Sequence, residues 1–310
     1  MKNMKIGAKI SQARINGNVG ALKQDLRLLK KIGLKYIEVP VNCMDVIRNG
    51  QIDKTQAGRL INLLHSFDFE YTVHCPLSLD VMDKNQPETH KAVLYSTMEF
   101  AYLLGSNIVV YHPGKFISEQ QTGERYKILS AKLKNELLEK EAGVIKTIAK
   151  KYKDIDICIE NMPAFVPQCF DWYAEKLDVL YNQVKNINCK NVSIALDIGH
   201  LFVSSNFYGF GFLDSIKKIK DSIGYIHIHD NFGKPSGYYE NNFSEMVPLG
   251  LGDLHLPPGW GCIPVADVVN VLSSRYTGIW MLEIRGMYSD YIKKSIGVLK
   301  NVKVGPAYTQ

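Results

Sequence analysis

Nine side chains able to bind a metal stand at the ends of apolar runs or in the loops just beyond them. They are His74, His112, Glu160, Asp197, His200, His227, Asp253, His255 and Glu283. Most close a stretch that reads as a buried parallel strand, in YTVH, IVVYH, ICIE, IALD, YIHIH and WMLE. One such residue carries little information, because a lone histidine at a strand end is more often structural than a ligand. A series spread along the chain implies strand ends gathered around one centre, and closure into a barrel is what gathers them all. An open doubly wound sheet is the competing arrangement. It calls for a glycine-rich phosphate turn after an early strand, and the sequence has none.

Eight apolar runs alternate with amphipathic stretches, which predicts an α/β chain folded as a (β/α)8 TIM barrel with right-handed crossovers. The strands are expected near Lys5–Ile10, Tyr36–Val41, Tyr71–Cys75, Ile108–His112, Asp156–Glu160, Ser193–Asp197, Gly224–His229 and Gly278–Ile284. Three- and four-residue apolar spacing predicts helices over Asn18–Ile32, Asp53–Ser66, Glu88–Leu104 and Glu124–Lys151. Four more are expected near Asp171–Val184, Phe212–Ile219, Val265–Leu272 and Ser289–Leu299. With no linker or internal repeat, residues 1–310 read as a single barrel domain, a length ordinary for this architecture. The long irregular stretch Asn231–Ile263 carries Asp253 and His255, and loops of that size in a domain are usually functional.

The formal charge of +6 is spread without a polybasic block, so it suits an anionic substrate and does not call for nucleic acid. Six cysteines (Cys43, Cys75, Cys158, Cys169, Cys189, Cys262) form no C-x-x-C pair and read as reduced structural thiols. The N-terminus MKNMKIGAKI has no long apolar segment and no run reaches a membrane span, so a cytoplasmic protein without membrane contact is expected.

Imidazole mixed with carboxylate suits zinc, manganese or iron. Burying the carboxylates of Glu160, Asp197 and Glu283 without compensation would cost several kcal/mol each, and cations offset that cost. In LDIGH, Gly199 is expected to let the chain turn sharply so that Asp197 and His200 both face the barrel mouth. His227 and His229 share one strand face by the period of two. Asp253 could instead be a helix cap or a solvated loop acid. Lys115, Lys234 and Arg285 follow strand ends and could grip a phosphate or sugar oxygens, although basic loop residues are commonly just solvated. Glu38 ends the second strand and either lines the site or pairs with a basic neighbour. Trp260 either walls the pocket or packs its own loop.

The ordered set of HxP at His74, HPG at His112, IEN at Glu160, LDxGH at Asp197, HxHDN at His227, DxH at Asp253 and LE at Glu283 resembles the xylose isomerase-like barrel superfamily. That superfamily is shared by sugar phosphate isomerases/epimerases and endonuclease IV, and the resemblance covers nearly the whole chain. From endonuclease IV it implies a first ion on His74, His112 and Glu160. A second would lie on Glu160, Asp197, His227 and Glu283, and a third on His200, Asp253 and His255. From the single-metal epimerases it implies one ion on Glu160, Asp197, His227 and Glu283, the two glutamates doubling as the proton-transfer pair. One to three divalent ions, zinc or manganese, are therefore expected. His229 is not a ligand by this resemblance and is expected to contact substrate or to orient a ligand.

Endonuclease IV follows its first histidine with a tyrosine-leucine segment that enters the DNA stack, where this chain has Cys75-Pro76-Leu77-Ser78. The expected activity is therefore isomerisation or epimerisation of a small sugar or sugar phosphate, with Glu160 and Glu283 catalytic. An endonuclease IV-like trinuclear phosphodiesterase is the alternative, since all nine ligand types are retained, and a non-catalytic metal- or sugar-binding barrel is the third reading. Nucleic acid is not the expected partner, and a homo-oligomer is compatible with all three.

Overall fold

A computed structural model describes residues 4–117, 129–166, 171–237 and 243–302. Its eight barrel strands are β1 (Lys5–Lys9), β2 (Tyr36–Pro40), β3 (Glu70–His74), β4 (Ile108–Tyr111), β5 (Asp156–Glu160), β6 (Val192–Asp197), β7 (Ile223–Ile228) and β8 (Ile279–Leu282). Each pairs in parallel with the next, and β8 returns to β1 through Lys5↔Ile279 to Ala8↔Leu282, so the sheet is closed. Below their C-terminal ends the strands are largely apolar on both faces, as strands covered by helices outside and by one another inside must be.

Two layers of inward residues matter for the site. The lower layer is apolar and includes Val110, Cys158, Ala195, Tyr225 and Met281. Thr72 and Tyr225 share a hydrogen bond there at 2.7 Å. Two residues further along each strand, the same face carries Lys9, Glu38, His74, His112, Glu160, Asp197, His227 and Glu283. A strand alternates faces with period two, so one such step raises every side chain by one layer. Every strand thus places one ionisable group in a single ring at the C-terminal mouth.

The outer helices carry the sequence signals expected of them. Asn18 caps Val19–Ile32 by accepting from the Ala21 amide, and Gly33 ends that helix at φ 85°. Asp53 caps Lys54–His65 in the same way and Ser130 caps Ala131–Lys151. The first residues of the helix expected over Glu124–Lys151 lie outside the described residues. The helix expected over Asp171–Val184 is shorter. Asp171–Trp172 instead forms a strand antiparallel to Lys115–Ile117, a 3-10 turn covers Tyr173–Glu175, and the helix runs over Leu177–Ile187. Trp172 and Tyr173 are buried, and that tertiary packing overrides the helical spacing.

A helix that periodicity did not predict spans Ile198–Tyr208. Its buried residues lie all around its axis, so its sequence has no polar stripe to reveal it. The sharp turn expected at Gly199 is therefore the start of a helix. Asp197 is its N-cap, and its Oδ1 accepts from the His200 amide at 2.8 Å. The last helix begins later than expected, at Ile292, behind a 3-10 segment Gly286–Tyr291. No described helix is long and apolar enough to cross a membrane. Cys43, Cys75, Cys158, Cys189 and Cys262 are free thiols, and Cys169 lies outside the described residues.

Candidate metal centre

The ring side chains meet one another. From β3 and the end of β4, His74 Nε2 and His112 Nε2 approach Glu160 Oε2 at 3.4 and 2.8 Å. His227 Nδ1 lies 2.6 Å from Glu160 Oε1, 2.9 Å from Glu283 Oε2 and 3.9 Å from Asp197 Oδ2. Its Nε2 points the other way, to Glu38 Oε2 at 2.9 Å. Lys9 forms an ion pair with Glu283 and lies 3.7 Å from Glu38 Oε1. Above the ring, Asp253 Oδ2 meets His255 Nε2 at 2.6 Å and His200 Nε2 at 3.1 Å, while Asp253 Oδ1 faces His229 Nε2 at 3.3 Å.

Backbone carbonyls set the tautomers of three histidines. His74 Nδ1 donates to Cys75 O at 2.7 Å, His200 Nδ1 to Asn161 O at 2.7 Å and His255 Nδ1 to Glu283 O at 2.8 Å. An imidazole that donates from Nδ1 presents a lone pair at Nε2. For His227 the carboxylate of Glu38 sets the opposite tautomer, leaving Nδ1 toward the centre. Asn161 holds Asp197 from both sides, accepting from its amide at 2.8 Å and donating to its carbonyl at 2.9 Å.

These donors fit divalent ions. The ring holds four carboxylates (Glu38, Glu160, Asp197, Glu283) against one lysine, all of them buried or nearly so. His74 Nε2, Glu160 Oε2, Glu283 Oε2 and Asp253 Oδ1 are buried and lack a well-aligned hydrogen bond, although other ring or loop side chains stand 2.8–3.4 Å from them, and all four face the centre. An orphaned lone pair in an interior needs a reason, and a shared cation supplies it. Donors fall within mutual reach in groups that match ion sites: His74, His112 and Glu160; Glu160, Asp197, His227 and Glu283; His200, His229, Asp253 and His255. A further group joins Glu38, His74 and His227.

Proton affinities follow the same crowding. Burial would raise the Glu160 carboxyl, but His227 and His112 beside it hold it well below the usual range. Burial likewise opposes a charge on His227, yet Glu283, Glu38 and Glu160 outweigh it and raise the imidazole well above its ordinary value. His112 is the opposite case: burial dominates and lowers it to about 4, so it stays a neutral donor.

A cleft opens over the centre, walled by Leu77, Met162, Phe165, Trp172 and Met246, with Lys9, Gln12 and Arg285 among its polar lining. Arg285 reaches back toward Asp253 O at 3.5 Å. Glu38 and His229 are fully buried beneath the lining rather than part of it. Lys115 is buried with its Nζ 4.3 Å from the centre of the Trp172 ring. Lys234 is exposed and donates to Leu249 O at 3.4 Å, outside the cleft lining. Trp260 is also outside it, packed edge-on against Tyr288 and Tyr291. Sequence reasoning missed Lys9, whose signal was a lysine closing an apolar first strand, and Asn161 beside Glu160. It also missed Asp230, whose carboxylate accepts from the amides of Asn231, Gly259 and Ile263 and so ties down both ends of the long loop.

Residues 26–302 match the family described as xylose isomerase-like TIM barrel. The chain belongs to that family. An uncharacterized protein of Methanocaldococcus jannaschii is 27% identical over 227 residues, 72% of this chain and 76% of the relative. A second from the same organism is 28% identical over 243 residues, 76% of this chain and 72% of that relative. Among solved structures, a D-tagatose 3-epimerase-like protein superposes with a TM-score of 0.68 at 24% identity, covering 96% of this chain and 97% of the other. A 3-keto-D-glucoside 4-epimerase from E. coli gives 0.67 at 14% identity over 96% and 99%. A D-psicose 3-epimerase gives 0.67 at 15% identity over 97% and 100%. At these identities what is shared is the fold.

Proposed function

We propose that this chain is a metal-dependent isomerase or epimerase of a sugar or sugar phosphate, with zinc or manganese on Glu160, Asp197, His227 and Glu283. The observation that carries this reading is the placement of Glu160 and Glu283. From β5 and from the end of β8, both carboxylates converge on His227 Nδ1, at 2.6 and 2.9 Å. Two carboxylates that flank one centre from different strands can work on opposite faces of a substrate carbon. The epimerases among the structural neighbours point to the same chemistry.

When bound, the ion polarises a carbonyl and the hydroxyl next to it, which acidifies the carbon-bound proton between them. One glutamate takes that proton and the other returns one. Lys9, paired with Glu283, holds that carboxyl in its basic form: burial alone would raise it, but His227 and Lys9 keep it well below the usual range. The apolar walls Leu77, Met162, Phe165 and Trp172 exclude water from the reacting carbon. Arg285, in the cleft lining, suits the substrate's oxygens, a phosphate included, whereas Lys115 is buried behind Trp172.

The endonuclease-like alternative draws on one observation, the three donor groups that could hold three ions. One experiment separates the readings. Zinc- or manganese-loaded protein is incubated in deuterated buffer with a panel of ketoses, aldoses and their phosphates, and separately with a duplex carrying one synthetic abasic site. The expected result is deuterium exchange at the carbon beside the carbonyl, abolished in Glu160→Gln. Rapid incision of the duplex without exchange on any sugar would replace this reading with the hydrolytic one.

A further inference from the structure

We propose that Glu141, a buried glutamate outside the barrel, is the positioning residue for His112. Its carboxylate fixes both the backbone and a neighbouring ring of a histidine that has no direct anchor of its own. Glu141 lies on the helix Ala131–Lys151, at helical spacing between Leu137 and Ile145 on the buried stripe. Glu136 and Glu139 on the same helix are exposed, whereas Glu141 is fully buried. A carboxylate in such a place persists only with partners.

Four neutral donors meet it. Oε1 accepts from the Tyr111 hydroxyl at 3.0 Å and from the Gly114 amide at 2.7 Å. Oε2 accepts from the Tyr173 hydroxyl at 2.7 Å and from Gln183 Nε2 at 3.0 Å. A buried polar network satisfied in this way is rigid. Tyr111 and Gly114 bracket His112, so Oε1 ties the chain down on both sides of it. The turn comes close because residue 114 has no side chain: a Cβ there would lie 2.4 Å from Met82 Cγ. Tyr173 follows Trp172, whose ring meets the His112 ring edge-on with centres 6.4 Å apart. The two segments that Glu141 joins also pair with each other, Lys115–Ile117 against Asp171–Trp172.

His112 needs this support more than its neighbours do. His74 and His227 each have a partner on the nitrogen turned away from the centre, Cys75 O and Glu38 Oε2. The corresponding atom of His112, Nδ1, is buried with no hydrogen-bond partner among the described residues. Its ring is held by its backbone and by the rings of His74 and Trp172 around it. Glu141 fixes the backbone directly, and through Tyr173 it fixes the Trp172 side. His112 Nε2 stands 2.8 Å from Glu160 Oε2. The placement of this imidazole therefore sets where that carboxylate points, and with it the ion that Glu160 would hold.

The test must separate action through His112 from a contribution to fold stability alone. Full-length protein is loaded with zinc and desalted. Zinc loss to a chelator is then timed for wild type, Glu141→Gln, His112→Ala and the double variant, and urea midpoints are recorded for each. Glutamine matches the size, but its amide nitrogen meets donors where the carboxylate accepted. Each single variant should release zinc about tenfold faster or more, as when a group that orients a ligand is lost. The double variant should release it no faster than His112→Ala, because no imidazole is left to position.

Multiplied effects in the double variant would assign Glu141 a structural role alone and overturn the proposal. So would zinc loss at the wild-type rate from Glu141→Gln or from His112→Ala. Should Glu141→Gln fail to fold, Tyr111→Phe removes one donor, keeps the carboxylate and repeats the same cycle under the same criteria. The inference rests on the metal-binding part of the proposed function, and a chain that took up no ion would sink both. Zinc loss as expected, with no deuterium exchange into any sugar, would refute the isomerase reading alone. Exchange into a sugar, with multiplied effects in the cycle, would refute this inference alone.

Discussion

Replacing Gly199 by alanine sets two calculable effects against each other. Gly199 lies in the first turn of the helix Ile198–Tyr208, where alanine is favoured over glycine by about 0.8–1.0 kcal/mol on backbone grounds. The added Cβ, however, would stand 1.9 Å from His229 Cε1, 2.4 Å from Nε2 and 2.5 Å from Nδ1. Carbon atoms in contact sit near 3.5–4.0 Å, so the ring must retreat by about 1.5 Å. The ring is fully buried, and retreat breaks its contacts with both oxygens of Asp197. Overpacking of this kind costs ~1–3 kcal/mol, which at least cancels the helical gain. The variant is expected to lose up to about 2 kcal/mol net.

Gly143 provides a control of opposite sign. It lies within the helix Ala131–Lys151 with nothing inside 4 Å of its virtual Cβ, so Gly143→Ala should gain ~0.8–1 kcal/mol. Urea unfolding of both variants and wild type, with chelator present to remove metal binding from the balance, reads both values. A Gly199→Ala protein stabilised as much as Gly143→Ala would mean that the His229 ring is not packed as described, and the steric argument would fail.

Glu38→Gln should weaken the ion proposed on Glu160, Asp197, His227 and Glu283 about 10–100-fold in competition with a chelator, because it removes the carboxylate that orients His227; unchanged affinity would show that Glu38 does not set that tautomer. Glu175 is a stability probe away from the centre. Burial raises its carboxyl to about 7 from an ordinary 4.5, despite the hydrogen bond from Tyr208. The unfolded chain then ionises while the folded one stays protonated, so this group's contribution falls as pH rises from about 4.5 to about 7, by up to about 3 kcal/mol. Glu175→Gln should remove that fall and be the more stable protein at pH 8; parallel pH profiles of urea midpoints for the two proteins would contradict it.

The barrel was legible in the sequence because its signals are local. An apolar run that ends in histidine or a carboxylate marks both a strand and the end of that strand facing the mouth, and eight apolar runs, most of them marked in this way and separated by amphipathic stretches, leave few topologies. Donor residues such as Glu160, Asp197 and His227 stand out for the same reason: an ionisable group closing an apolar run is conspicuous. Helix caps such as Asn18 and Asp53 could also be read residue by residue. The helix Ile198–Tyr208 could not, since a segment buried on all sides has no polar stripe. Nor could the irregular path of Asp171–Glu175, where the burial of Trp172 and Tyr173 decides the backbone.

Sequence by itself determined which residue types end the strands, because burying a charge at the end of an apolar run leaves a local mark that needs no partner to be seen. Only the tertiary structure decided which of those residues meet. Lys9 and Glu38 complete the ring through the layer that strand alternation and barrel closure assign them. His229 turns toward Asp253, more than twenty residues away. Trp260 and Lys234, as suggestive in sequence as Arg285, fall outside the cleft. Which groups share a centre depends on register and closure between distant strands, and no window along the chain contains that information.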